Sequence, residues 1–315
     1  MMSPETLLIA VVGPTASGKS ELGIKLARRL KGEIVNCDSM QVIRGLSVGT
    51  AKPSREEMQT VPHHLYEVCS PGEFFSAGAY MQAARAVCAT VAERGNVPIV
   101  VGGTGLYLRA LLEGLFEGPG RDEAIRKRLR SLADRYGVER LYRLARHVDP
   151  KAAERIQPRD QVRIVRALEV YFVSGRPISA WQSQPSPLKG FMIIKIGLGP
   201  PRAALYDRIN RRVEAMFSGG LLDEIRWLLE QGHDPASRAF TPLGYKQGLA
   251  FLRAQMSFEE AISETQTQTR RYARRQLIWF RKDPEVRWLP YFGQDPRAEE
   301  EALNLIQEKV GGDAV

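Results

Sequence analysis

Gly13-Pro14-Thr15-Ala16-Ser17-Gly18-Lys19-Ser20 is the stretch on which the reading of this chain turns. The apolar run Leu7 to Val12 precedes it, and in the segment behind it Leu22, Leu26 and Leu30 recur at helical spacing, so the octapeptide lies between a buried strand and a helix. It fits the pattern G-x-x-x-x-G-K-[ST] in the one context that gives the pattern physical meaning. The glycines let backbone N–H groups point inward at phosphate oxygens, and the helix N-terminus adds the positive end of its dipole. Lys19 supplies a point charge and Ser20 a hydroxyl ligand for Mg²⁺. All eight residues, Gly13, Pro14, Thr15, Ala16, Ser17, Gly18, Lys19 and Ser20, are therefore a candidate site for a di- or triphosphate. The loop alone does not say whether that phosphate belongs to a nucleotide.

Working outward, Glu33 to Cys37 reads as a second strand that runs out at Asp38, and Val97 to Val101 as a third that ends in Gly102-Gly103. Ser76 is the expected N-cap of a helix reaching Gly95. Strands alternating with helices predict a parallel sheet, so the fold class is α/β with a P-loop NTPase-like core. From Gly118-Pro119-Gly120 onward the pattern changes to arginine-rich helices, Asp122 to Tyr136, Glu139 to Arg146 and Asp160 to Ser174. Ser183 to Gly190 reads as a linker, and Phe191 to Gly197 resumes strand character. The expected organisation is a core from 1–118, a helical insertion over 119–189, and a return to the core over 190–315 with C-terminal helices. Those helices are expected from about Pro201 to Gln231 and from Ser257 to Lys282.

Composition narrows the function classes. With 43% hydrophobic and 26% charged residues among 315, the chain is neither disordered nor fibrous. Residues 121–298 hold 33 basic against 20 acidic side chains, whereas 1–120 are balanced at 11 each, so the excess behind the net charge of +9 lies C-terminal and suits a polyanionic partner. Glu299 to Asp313 reverses that sign and reads as a solvated tail or a final amphipathic helix. Cys37, Cys69 and Cys88 support neither a disulfide framework nor a zinc site, which fits a reducing cytoplasm. Leu7 to Val12 is too short for a membrane span, and no basic region precedes it, so no membrane role is expected.

The next residues qualify the loop. Asp38-Ser39-Met40-Gln41 follows the second strand and places a carboxylate beside it, able to ligate Mg²⁺, to act as a base or merely to cap a helix. The strand Val97 to Val101 ends in glycines, not in the acidic residue that a nucleotide hydrolase would place there for its metal.

Seven segments then recur in a known order: GPTASGKS, DSMQVIRGL, GTAKP, PHHL, GGTGLYLRALLEGL, RALEVY and TRRYARRQLIWFR. In this order the chain resembles the tRNA dimethylallyltransferases, also called tRNA isopentenyltransferases, of bacterial type, over roughly residues 7–288. The resemblance implies transfer of a dimethylallyl group from its diphosphate to the exocyclic amine of adenine 37, just 3′ of the anticodon, in tRNAs reading codons that begin with U. It also implies that the phosphate loop holds the allylic diphosphate, so that ATP binding would describe the motif rather than the reaction. Lys19, the loop amides and Mg²⁺ on Ser20 would then stabilise departing diphosphate. Asp38 matches the family's catalytic aspartate and is the expected base, within a target-contacting segment Asp38, Ser39, Met40 and Gln41. Thr104 corresponds to a contact near the reacting adenine, with a helix N-cap as its alternative role.

RNA contacts are implied by the same resemblance at Arg126 and over Val162, Arg163, Ile164, Val165 and Arg166, where the two arginines spaced by three share a helix face. Thr241, Pro242, Leu243, Gly244, Tyr245 and Lys246 match a further segment near RNA, although packing explains Tyr245 equally well. Arg208 and Arg212, with Arg211, follow the returning strand and are candidates to reach the transferred group. Arg270, Arg271, Arg274 and Arg275 share one arc of the last long helix, partly buried beside Leu277 and Ile278. The enzyme is expected to act as a monomer whose helical insertion clamps the anticodon stem-loop. Ile43, Gln157, Arg159 and Ile278 depart from the family's usual residues, and His63 and His64 carry no role beyond loop and core hydrogen bonding. A small-molecule kinase and an RNA-binding nucleotide switch are the alternatives, which tRNA-independent ATP turnover would distinguish.

Overall fold

The computed structural model describes residues 6–116, 118–181 and 186–312. Ser183 to Pro185 of the expected linker and Asp313 of the acidic tail lie outside them. The chain divides into two compact units, Met1–Leu112 with Leu188–Val315, and Glu113–Pro187.

Among the described residues the first unit is built on six parallel strands: β1 (Thr6–Val12), β2 (Gly32–Asn36), β3 (His63–His64), β4 (Val97–Val101), β5 (Phe191–Leu198) and β6 (Val286–Leu289). Their order across the sheet is β3-β2-β4-β1-β5-β6. β1 pairs in register with β4 on one side (Ile9 with Ile99) and with β5 on the other (Ile9 with Ile194). A parallel sheet must bury both faces, and the side-chain alternation of β1 does so. Leu8, Ala10 and Val12 join one core with Val35, Val100, Tyr80 and Phe280, while Ile9 and Val11 join the other with Ile34, Ile99, Leu22 and Leu26. The chain passes from β1 to one side of the sheet and later returns to the other, so the loop after β1 sits at the switch point where α/β folds open a crevice.

The elements expected from apolar runs are present, with ends displaced by a residue or two. The expected span Pro201 to Gln231 is two helices, Arg202–Ser218 and Leu221–Glu230, separated by Gly219-Gly220. Gly220 has φ +109°, outside the range that continues a helix. The acidic tail is structured: helix Pro296–Gly312 buries Ala298, Ala302 and Ile306 in the second core. No described helix is long and apolar enough to cross a membrane, and Cys37, Cys69 and Cys88 are buried free thiols.

The second unit is helical. Asp122 and Asp160 accept hydrogen bonds from Ile125 N at 2.8 Å and Arg163 N at 3.1 Å, capping helices Glu123–Tyr136 and Gln161–Ser174. Leu129, Leu141, Ile164 and Leu168 form its core together with helix Val138–Val148.

Candidate functional site

Three of the segments singled out for chemistry in the first unit leave the sheet at its C-terminal edge. Gly13 to Ser20 follows β1, Asp38 follows β2, and Gly102-Gly103-Thr104 follows β4. Gly13 has φ +142°, and a Cβ there would lie 2.6 Å from Leu198 O of β5, so glycine alone fits. Helix Lys19–Leu30 starts at the end of the loop, and its first-turn amides have no intrahelical acceptor. Ser17 Oγ is fully buried and has no partner among the described residues. Both features suit an anion. Lys19 Nζ donates to Pro14 O at 2.7 Å. Desolvation brings its ammonium down to about 8, with the Asp38 carboxylate opposing the drop and Arg212 adding to it.

Asp38 is held by its neighbours in sequence and in space. Its backbone N–H donates to Asn36 Oδ1 at 3.0 Å, and its own Oδ1 accepts from Met40 N at 2.8 Å. Among the described residues Oδ2 has no partner, which leaves that oxygen for a ligand. Thr104 supports this turn from the end of β4: its hydroxyl accepts from Ser39 N at 3.0 Å, while its backbone O accepts from Tyr107 N and Leu108 N. The side-chain N-cap considered for Thr104 is therefore replaced by a hold on the Asp38–Met40 turn. Tyr272, from helix Phe258–Phe280, shares this network. Burial raises its phenol above the ordinary range, the Asp38 carboxylate adds to that, and a hydrogen bond with Thr104 opposes it.

The loop and the carboxylate open into one cavity of about 270 Å³, whose lining includes Thr15, Ala16, Asp38, Met40, Arg212 and Tyr272. Ile209, Val213, Met216, Pro242 and Leu243 make much of the remaining wall. Arg212 reaches Thr15 Oγ1 at 3.4 Å; burial lowers its guanidinium to about 10, with Asp38 opposing and Arg208 reinforcing. Arg208 is tied to Gln294 Oε1 and to Glu21 at 3.5 Å, beside the loop, whereas Arg211 is exposed.

Two groups that fix the loop carry no signal in the motif. Gln276, buried in the long helix, accepts from Thr15 N at 2.8 Å and donates to Gly103 O at 2.9 Å, joining the ends of β1 and β4. Gly293, after β6, donates its N–H to Ser17 O at 2.9 Å, and a Cβ there would lie 1.9 Å from Gly18 O.

The basic residues divide sharply. Arg271, Arg274 and Arg275 of the long helix are exposed, but Arg270 is bound to Asn210 Oδ1 at 2.6 Å and Thr267 Oγ1 at 3.0 Å. Ile278, expected against the core, is 50% exposed. Tyr245 is fully buried and donates to Glu224 Oε2 at 2.6 Å, so its ring cannot stack on a base; Pro242 and Gly244 are buried too, and Thr241 and Lys246 are exposed. In the helical unit, Ile164 and Val165 face inward, whereas Val162 and Arg163 are 78% and 61% exposed.

Arg126 and Arg166 differ from Arg163. Arg126 binds the fully buried Glu169 with both arms, Nε to Oε1 at 2.7 Å and Nη2 to Oε2 at 2.8 Å, and Arg166 adds Nη1 to Oε2 at 2.8 Å. Burial opposes charge on Glu169, but the bonds from Arg126, Arg166 and Asp122 N outweigh it and hold the carboxyl at about 2. The RNA role expected for Arg126 thus meets a guanidinium already spent on an internal pair. His64 has an internal duty as well: with Arg94 and Asn96 it binds buried Glu33, its Nε2 lying 2.6 Å from Oε2.

Comparison with known proteins gives one consistent result. The family model for IPP transferase matches residues 41–283. The chain is 47% identical over 304 residues to the tRNA dimethylallyltransferase of Koribacter versatilis, covering 96% of this chain and 99% of that protein. It is 50% identical over 282 residues to that of Anaeromyxobacter dehalogenans, covering 90% and 92%. Among solved structures it is similar to a full-length tRNA isopentenylpyrophosphate transferase from Bacillus halodurans, with a TM-score of 0.73 and 38% identity over 98% of both chains. It is also similar to a eukaryotic dimethylallyltransferase acting on tRNA, with a TM-score of 0.81 and 26% identity, covering 98% of this chain and 80% of that one.

Proposed function

The chain belongs to the IPP transferase family, and we infer that it is a tRNA dimethylallyltransferase, transferring a dimethylallyl group from its diphosphate to the exocyclic amine of adenine 37 in tRNAs that read codons beginning with U. One observation carries the reading at the level of chemistry: Thr15 and Ala16 of the phosphate loop, Asp38 and a wall of apolar side chains line the same cavity. A prenyl group attached to a diphosphate needs such an apolar wall beside the phosphate loop.

In this reading the first-turn amides, Lys19 and Arg212 hold the diphosphate. The allylic C–O bond breaks with its electron pair leaving on diphosphate, whose growing charge these donors stabilise. The amine nitrogen forms the new C–N bond, and its proton passes to the Asp38 carboxylate. The amine is a weak nucleophile because its lone pair is delocalised into the ring, so the base must be fixed in place, which the Asn36, Met40 and Thr104 contacts do. The adenine must first leave its stack in the anticodon loop, at a cost of a few kcal/mol.

Mg²⁺ fits the donor set in a limited way. Among the described residues no three His, Cys, Asp or Glu side chains cluster as a metal cage. An ion carried by the diphosphate with Ser20 as one protein ligand matches how Mg²⁺ is usually held, and when bound it would neutralise leaving-group charge.

The experiment is incubation of labelled dimethylallyl diphosphate with unmodified tRNA, Mg²⁺ and the protein. Label is expected in RNA, and its absence alongside tRNA-independent ATP turnover would reject the reading. Asp38→Ala is expected to lower kcat by about 10²- to 10⁴-fold with tRNA affinity held within a few-fold. Near-normal turnover would remove Asp38 as the base.

A further inference from the structure

We propose that Met216 and Val213 set the length of the allylic chain that the site accepts, limiting it to one five-carbon unit; this rests on the dimethylallyl-transfer reading above. Ile209, Arg212, Val213 and Met216 lie on one face of helix Arg202–Ser218, and all four line the cavity. Arg212 reaches the phosphate loop at Thr15, which marks the diphosphate end of that face. Met216 lies one turn further on, about 6 Å along the helix axis at 1.5 Å per residue. A chain attached to diphosphate at the loop and running along this face meets Met216 at its far end.

The walls around that end are apolar in effect. Leu243 and Pro242 contribute directly. Three threonines that line the cavity spend their hydroxyl protons on backbone carbonyls: Thr50 on Leu46 O at 2.6 Å, Thr265 on Ala261 O and Thr269 on Thr265 O, both at 2.7 Å. None is left to donate to a ligand without giving up an internal bond, so with Pro242, Leu243, Val213 and Met216 this part of the wall suits a hydrocarbon.

Volume then selects the length. An apolar cavity of about 150 Å³ takes benzene, which is about 25 Å³ per heavy atom. On that scale the cavity of about 270 Å³ holds five carbons in about 125 Å³ and leaves space for the edge of one purine ring beside Asp38. Ten carbons would take about 250 Å³ and leave the acceptor none. Met216→Ala removes three heavy atoms and Val213→Ala two, which together equal the five carbons of one further isoprene unit.

The test compares wild type, Met216→Ala and the double variant Met216→Ala/Val213→Ala, with dimethylallyl and geranyl diphosphates competing for the same tRNA. The ratio of kcat/KM for geranyl over dimethylallyl diphosphate is expected to rise at least about tenfold in the single variant and further in the double. A ratio that moves by less than about twofold in the single variant, with dimethylallyl transfer retained, overturns the proposal. So does a wild type that uses the two donors equally. A raised KM for tRNA at an unchanged donor ratio would place the purine against Met216 and overturn it too. Failure of the wild type to transfer from either donor would instead overturn the underlying reading. The single variant carries the test if the double, which truncates buried Val213, does not fold.

Discussion

Gln276→Leu removes both hydrogen bonds that tie the phosphate loop to β4 while nearly conserving side-chain volume, so little cavity energy enters its effect. Thr15 N and Gly103 O each lose a partner now held at 2.8 and 2.9 Å. A buried backbone group left unpaired costs about 1–3 kcal/mol. Gly103 is buried and should cost near the upper figure; Thr15 is half-exposed, where water can replace the lost bond at the lower one. The expected destabilisation is therefore about 2–4 kcal/mol in urea unfolding. The loop would also lose the anchor that orders Thr15 before diphosphate arrives. If the ligand must restore that order, affinity falls by up to the Thr15 share of about 1 kcal/mol, about fivefold, and binding of the allylic diphosphate by calorimetry reads it. Wild-type stability in Gln276→Leu, or donor affinity unchanged from wild type, would refute the argument.

Three further outcomes follow from charges in the structure. Because Lys19 is lowered to about 8, its ammonium is full below that pH, so diphosphate affinity should fall as pH rises through 8, with proton uptake on binding above it; Lys19→Met should flatten the profile. By the same sign the unfolded chain binds the extra proton between about 8 and 10.5, so this group makes folding more favourable as pH rises across that window. Glu169→Gln leaves two arginines facing an uncharged buried partner and should cost about 3–5 kcal/mol. With Glu169 held at about 2, its contribution is present above its ordinary value of 4.5 and lost as pH falls toward 2, which acid unfolding of wild type against the variant would read. Arg163→Ala should shallow the salt dependence of tRNA binding by about one unit of slope with folding unchanged, whereas Arg126→Ala should chiefly destabilise the helical unit.

How legible the molecule was in its sequence depended on distance along the chain. The strand, loop and helix around Gly13 to Ser20 could be read locally, because apolar runs, glycines and leucine spacing all act within a few residues. Two strands could not: β3 is two residues long, and β6 reads Val286-Arg287-Trp288-Leu289 with a charged residue inside it. The pairing of Arg126 has no local signal, because its partner Glu169 lies 43 positions away. Gln276 does not stand out in a run dominated by arginines. The phase of Ala261, Thr265, Ala273, Gln276 and Phe280 marks the inner face of that helix and would have exposed a buried glutamine. Gly293 had no local signal at all, since its requirement comes from Gly18 O.

The Gly293 contact has a bearing on how the protein is made. The glycine-rich turn is translated early, yet the amide that fastens Ser17 O and the glutamine that fastens Thr15 N belong to the last fifth of the chain. A ribosome still elongating through the arginine-rich helix carries an anion cradle with two of its struts missing. Competence to hold a diphosphate thus waits for residues 276 and 293 to be made, and nascent fragments that stop short of residue 276 should bind diphosphate weakly.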